Sequence, residues 1–168
     1  TDARVNMVTP ALFERYPSID AFAEARLEDV EDLIKTCGLY KTKAKDLIGI
    51  GIALRDQFGG EVPETLEELT SLPGVGRKTA NLVLGDVFGQ PAVVCDTHCI
   101  RITNLLGLSA GKDPYKVELQ LRDCLPMDRA NDFCHRLVLH GRAVCVARSP
   151  KCALCCLREV CDHALQAK

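Results

Sequence analysis

The sequence predicts an all-α protein, and three observations carry that prediction. Apolar residues recur at helical spacing in one segment after another, no stretch sustains the period-two alternation of a half-buried strand, and the helical segments are bounded by recognisable caps and stops. The 168 residues suffice for one domain or two small ones with a real core. No apolar run reaches the ~20 residues of a membrane span. No charged-then-apolar leader is recognisable either, so a membrane partner is not expected.

Taken in order, residues 28–37 place Val30, Leu33, Ile34 and Cys37 on one face, with Gly38 as a stop. Residues 41–58 repeat the pattern with Ala44, Leu47, Ile48, Gly51, Leu54 and Phe58 before Gly59-Gly60. Thr65-x-x-Glu68 reads as a capping box for a short helix that buries Leu66 and Leu69. In 77–88, Ala80, Val83, Leu84, Val87 and Phe88 form an apolar stripe ended by Gly89 and Pro91, which leaves Lys78, Asn81 and Gly85 on the other side. Further helices are expected from Thr97 to about Leu106, from Pro114 to Leu125 behind Asp113, and over 129–144.

One cysteine precedes Gly89-Gln90-Pro91 and nine follow it, which places a domain boundary there: a helical domain over 1–90 and a cysteine-rich one over 91–168. The net charge of −2 does not by itself indicate a nucleic-acid partner. The acidic residues crowd into 20–32 and 61–68, however, whereas Arg77, Lys78, Arg101, Arg136, Arg142, Arg148 and Lys151 lie elsewhere. That distribution allows a basic face, or simply a solvated surface.

Leu72-Pro73-Gly74-Val75-Gly76 joins two short helices through a turn too tight for large side chains. Its glycines allow positive φ and close approach of a ligand to the backbone, and the amides of 74–77 would face an anion at a helix start. This is a helix–hairpin–helix pattern that reads a DNA backbone rather than a base sequence. A plain corner between packed helices is the structural alternative.

Lys78 follows in the first helical turn. The helix dipole disfavours a cation there by ~0.3–1 kcal/mol. Arg77 adds like-charge repulsion, so both effects favour the neutral, nucleophilic amine. A phosphate-contacting lysine that stays charged is the alternative, and local physics alone favours it. Asp96, in Val94-Cys95-Asp96-Thr97-His98, suits a helix N-cap equally well as a functional carboxylate. His98 reads as structural, and His135, His140 and His163 suggest no ligand set.

With no secretory leader recognised, ten cysteines point to metal binding rather than a disulfide framework. Cys145-x6-Cys152-x2-Cys155-x5-Cys161 supplies four thiolates, suited to zinc or to a [4Fe–4S] cluster. Cys156 falls outside the pattern, and Cys37, Cys95, Cys99, Cys124 and Cys134 are expected in the core. The loop 146–151 would then present Arg148 and Lys151 to a phosphate backbone.

Leu72-Pro73-Gly74-Val75-Gly76-Arg77-Lys78-Thr79-Ala80-Asn81, Val94-x-Asp96-Thr97-His98 and Leu139-His140-Gly141-Arg142 closely resemble the endonuclease III family, bifunctional DNA glycosylases and abasic-site lyases of base-excision repair. Gly38-Leu39-Tyr40-x-x-Lys43-Ala44 and Gly60-Glu61-Val62-Pro63 extend the resemblance over essentially the whole chain. It implies a helix–hairpin–helix glycosylase fold with a C-terminal iron–sulfur loop. It also implies that Lys78 is the nucleophile, Asp96 the catalytic carboxylate and Leu39 an apolar wedge pushed into the duplex. The four spaced cysteines would hold [4Fe–4S], with zinc the less favoured occupant. Gly74, Val75, Gly76, Arg77, Arg148 and Lys151 would contact DNA. The expected partner is double-stranded DNA carrying damaged pyrimidines or abasic sites, bound by a monomer in the bacterial cytoplasm at the nucleoid.

Related adenine glycosylases lack the lysine and carry Asp-Gly in place of Asp-Thr-His, which favours a lyase. Family members carry helices upstream of the Thr1-Asp2 pairing, so the sequence is expected to be incomplete at its N-terminus. The alternatives are therefore a catalytically impaired DNA-binding fragment, a mismatch-type glycosylase of the same superfamily, and a redox protein resting on the cluster alone.

Overall fold

In the computed structural model, which describes residues 2–166, every regular element among the described residues is helical. The chain forms two compact units that divide between Gly76 and Arg77, so the boundary expected at 90 falls inside the second.

The first unit contains α1 (Asp2–Arg15), α2 (Ile19–Ala23), α3 (Leu27–Ile34), α4 (Tyr40–Gln57) and α5 (Leu66–Ser71). Side-chain caps set the starts of α2 and α5: the Ser18 hydroxyl accepts from the Ala21 amide at 3.2 Å. Thr65 accepts from the Glu68 amide at 3.3 Å, the threonine's half of the capping box, and its hydroxyl also donates to the Glu68 carboxylate at 2.7 Å. Leu12, Tyr16, Val30, Ile34 and Ala44 form the core, with Phe22 and Leu47 packed against it. Gly51 lets α2 approach α4, because a Cβ there would lie 2.8 Å from the Ala23 backbone nitrogen. The helix expected to reach Cys37 ends at Ile34, and Cys37 is buried through a following turn in which its amide donates to the Ile34 carbonyl at 2.8 Å.

The second unit contains α6 (Arg77–Asp86), α7 (Thr97–Leu106), α8 (Pro114–Cys124), α9 (Ala130–Ala143) and α10 (Asp162–Gln166), with single 3-10 turns at Met127–Arg129, Cys152–Leu154 and Arg158–Val160. Asp113 caps α8 by accepting from the amides of Tyr115 and Lys116, and Pro114 occupies the first turn. Val93, Val94, Ile102, Val117, Leu121 and Leu137 build the core together with Cys95, Cys99 and Cys134. Cys124, expected in the core, is exposed.

The buried face of α6 differs from the expected stripe. Asn81 and Gly85 are buried beside Ala80 and Leu84, whereas Val87 is 68% exposed. The face is rotated because a polar network takes Asn81 in, as described next.

Candidate active site and cysteine loop

In the hairpin of the first unit, Gly74 has φ of 70°, and a Cβ there would stand 2.5 Å from the Asp46 carboxylate, so glycine is required by both backbone and space. The Val75 amide donates to the Leu72 carbonyl at 3.1 Å. It therefore closes the turn rather than facing a ligand as expected. The amides of Gly74 and Gly76 make no hydrogen bond among the described residues, and the space beside Gly76 is open. Elsewhere in this unit Leu39 sits in the left-handed region (φ 59°, ψ 30°) with its side chain 79% exposed. For a leucine that backbone costs on the order of 1–3 kcal/mol, and an exposed apolar side chain gains nothing in the free protein to offset it.

In the second unit, Lys78 is exposed and lines a cavity of about 250 Å³ with Arg77, Asn81, Cys95, Tyr115 and Glu118. Beneath it lies a closed polar cluster. Arg77 grips the buried Glu118 with both arms, Nε to Oε2 at 2.7 Å and Nη2 to Oε1 at 2.8 Å. Arg122 donates to the same carboxylate at 2.9 Å and Asn81 at 3.2 Å, while the Asn81 carbonyl accepts from Arg122. Burial pushes the Glu118 carboxyl up, but the two arginines outweigh it and hold it below its ordinary value. Arg77 also stacks over Tyr115, 4.7 Å from the ring centre.

Arg77 is thus a clamp on the first turn of α6, and its charge is neutralised locally. The like-charge repulsion expected to favour neutral Lys78 is correspondingly weakened. The cluster leaves Lys78 at the cavity wall on a helix start that is fixed from below.

Asp96 caps α7, its Oδ1 accepting from the Cys99 amide at 2.7 Å. Its other oxygen makes no hydrogen bond among the described residues, so cap and functional carboxylate are compatible. Asp96 does not itself line the Lys78 cavity; its neighbour Cys95 does.

Cys145, Cys152, Cys155 and Cys161 line one cavity, and Cys156 does not. Around them Arg101 Nη1 lies 3.4 Å from Cys145 Sγ, His140 Nε2 lies 3.5 Å from Cys155 Sγ, and Cys161 Sγ meets the Leu105 carbonyl at 3.3 Å. Among the described residues no three metal-ligating side chains converge in coordinating geometry. Four thiols around one void nevertheless fit the donor set of a cysteine-held cluster, and the Arg101 cation would offset part of its thiolate charge. Lys151 bonds back to the Ala143 carbonyl through Nζ at 3.1 Å, which anchors the loop, while Arg148 is exposed.

The sequence reading missed Asn81, Tyr115, Glu118, Arg101 and His140. Only the Glu118–Arg122 pair, four residues apart on one helix, left a local trace. The Arg77–Glu118 bond spans 41 positions and leaves none.

Comparison with known proteins agrees with this geometry. A family model described as HhH-GPD superfamily base excision DNA repair protein matches residues 1–127. Endonuclease III of Synechocystis sp. is 45% identical over 165 residues, covering 98% of this chain and 75% of that protein. Endonuclease III of Escherichia coli K12 is 41% identical over 163 residues, covering 97% and 77%. A solved trapped endonuclease III–DNA covalent intermediate superimposes with a TM-score of 0.92 at 39% identity, covering 99% of this chain and 79% of that one. On its fold, its lysine-bearing helix and this similarity, the chain belongs to the endonuclease III family of HhH-GPD base excision DNA repair proteins.

Proposed function

We propose that the chain is a DNA N-glycosylase and abasic-site lyase that removes oxidised pyrimidines from double-stranded DNA and cuts 3′ to the lesion. The observation that carries the reading is Lys78, exposed at the wall of a cavity on a helix start held by the Arg77–Glu118 clamp. A related endonuclease III has been solved as a trapped covalent intermediate with DNA, which supports a covalent route.

In the proposed reaction the damaged nucleotide leaves the stack at a cost of a few kcal/mol. Neutral Lys78 Nζ attacks the sugar C1′ and the base departs with its bonding electrons; the nitrogen sheds a proton, the C1′–O4′ bond then breaks, O4′ takes up a proton, and the C=N Schiff base forms. Loss of a C2′ proton then breaks the 3′ C–O bond. The free oxygen of Asp96 accepts a proton or stabilises the cationic sugar while the other holds α7 in place. Leu39 fills the vacated stack, a role supported by its exposure and its costly backbone. Gly74, Gly76 and Arg148 are proposed as phosphate contacts, a reading supported by the unbonded amides of the two glycines and the exposure of Arg148. Arg77 and Lys151 act by fixing the α6 start and the 146–151 loop.

Cys145, Cys152, Cys155 and Cys161 are assigned to a [4Fe–4S] cluster, which when bound would cross-link the loop; iron and acid-labile sulfide analysis separates this from zinc. No helix among the described residues is long and apolar enough to cross a membrane, and we place the monomer with the bacterial nucleoid.

The decisive experiment is borohydride trapping on duplex DNA containing an oxidised pyrimidine. A covalent adduct lost in Lys78→Ala is expected. DNA binding without an adduct, or an adduct that survives Lys78→Ala, overturns the lyase assignment.

A further inference from the structure

Tyr115 is the aromatic side chain at the Lys78 cavity, and nothing in the reaction described above uses it. It is 51% exposed, yet it is held at both ends. Its amide donates to Asp113 Oδ1 at 2.9 Å in the cap of α8. Arg77 lies over one face of the ring, 4.7 Å from its centre, and that guanidinium is itself fixed by two bonds to the buried Glu118. No second ring packs on Tyr115 among the described residues. An aromatic residue scattered on a surface needs neither a clamped cation against it nor a place beside the nucleophile.

In the glycosylase–lyase reading, on which this inference rests, Lys78 attacks C1′ and the base joined to that carbon enters the same space. The cavity of about 250 Å³ exceeds the ~150 Å³ that admits a benzene ring. We propose that the open face of Tyr115 stacks on the extruded base and selects flat, aromatic oxidised pyrimidines over those saturated at C5 and C6.

The selection is geometric. A flat base meets the ring at van der Waals distance across its whole face. In a saturated base C5 and C6 are tetrahedral, and a substituent on the facing side holds the two rings apart. A gap of ~0.5–1 Å forfeits about a quarter to a half of the dispersion attraction. Because Arg77 already orders the tyrosine, little side-chain freedom is left to lose on stacking, and the contact with a flat base is kept nearly in full.

The test measures single-turnover base release by the cluster-loaded protein from duplexes carrying 5-hydroxycytosine, which is flat, or thymine glycol, which is saturated. Cutting of a ready-made abasic duplex serves as the control without a base. Tyr115→Ala should slow release of 5-hydroxycytosine roughly tenfold, within the range for one lost base–aromatic stack, and thymine glycol release and abasic cutting less than about threefold. Tyr115→Phe should stay within about twofold of the parent chain on all three, since the ring remains. Equal losses on the two bases refute the selection. An equal loss on abasic DNA means that Tyr115 only braces Arg77, and a Phe variant as impaired as Ala assigns the effect to the hydroxyl; either overturns the proposal. Should Tyr115→Ala fail to fold, Tyr115→Leu, apolar but without a flat face, is read by the same criteria. If the parent chain neither releases a base nor cuts abasic DNA, the lyase reading fails. Fluorescence anisotropy on the two damaged duplexes then judges the stack: Tyr115→Ala must weaken binding to the 5-hydroxycytosine duplex selectively, and an equal change on both overturns it.

Discussion

Removing the Glu118 carboxylate should unlock the start of α6. Glu118→Ala leaves the Arg77 and Arg122 guanidinium groups without their counterion and the buried Asn81 amide without its acceptor. Truncating one partner of a buried ion pair costs ~3–5 kcal/mol. The two arginine side chains are 39% and 32% exposed, so water compensates part of their loss. This points to the low end, about 3 kcal/mol, or roughly 6–12 °C in a protein of this size. Glu118→Gln keeps the shape and an acceptor, and should cost about half as much, ~1.5 kcal/mol.

The pH dependence follows from the depressed carboxyl. A group whose folded value lies below its unfolded one contributes stability above the unfolded value, here near 4.5, and loses it as pH falls through the folded value. The melting gap between the parent chain and Glu118→Gln should therefore be widest near neutrality. It should narrow from about pH 4.5 downward as the carboxyl is protonated. Thermal unfolding followed by circular dichroism from neutral to acid pH measures it. A gap below about 1 kcal/mol at pH 7, or one that does not change with acid, refutes the clamp.

Three further outcomes are expected. Gly74→Ala forces a side chain into a φ of 70° and against Asp46, and should cost ~1–3 kcal/mol and weaken binding to undamaged duplex, measured by melting and fluorescence anisotropy. Asp96→Ala should lose the α7 cap, about 1 kcal/mol, together with trapping; Asp96→Asn should keep the cap and DNA affinity but not the trapping, and equal melting losses in both would sink the dual role. Leu39→Gly relieves the left-handed backbone, so melting should hold or rise while excision falls relative to cleavage of ready-made abasic sites; unchanged excision refutes the wedge.

What the sequence disclosed was whatever chemistry is local in the chain. The capping box at Thr65 and the aspartate cap and first-turn proline of α8 each depend on residues within a turn of one another, and each lies where the pattern puts it. The cysteine spacing likewise picked the four thiols that share a cavity from ten. Where the reading erred, a distant partner had changed a residue's role. Asn81 looked solvent-facing because amides rarely go inside, yet Glu118, 37 positions away, makes its burial possible. Arg77 looked like a phosphate contact because it follows a phosphate-binding turn, yet the same carboxylate draws it inward.

Both departures concern one buried acid, and they alter the picture of Lys78. Arg77, which the sequence suggested would repel the lysine, and Asn81, which it placed on the lysine's side of the helix, are instead both bonded to Glu118 beneath it. The first turn of α6 is left with Lys78 as the basic group exposed at the cavity wall. Discrimination between two adjacent cations, one structural and one reactive, is therefore encoded on α8 rather than in the motif that carries them. If that is right, moving the acid should matter more than preserving the motif: Glu118→Ala should lower trapping while Lys78 and the hairpin stay untouched, and Arg77→Lys, which cannot span the carboxylate with two arms, should do the same to a smaller degree.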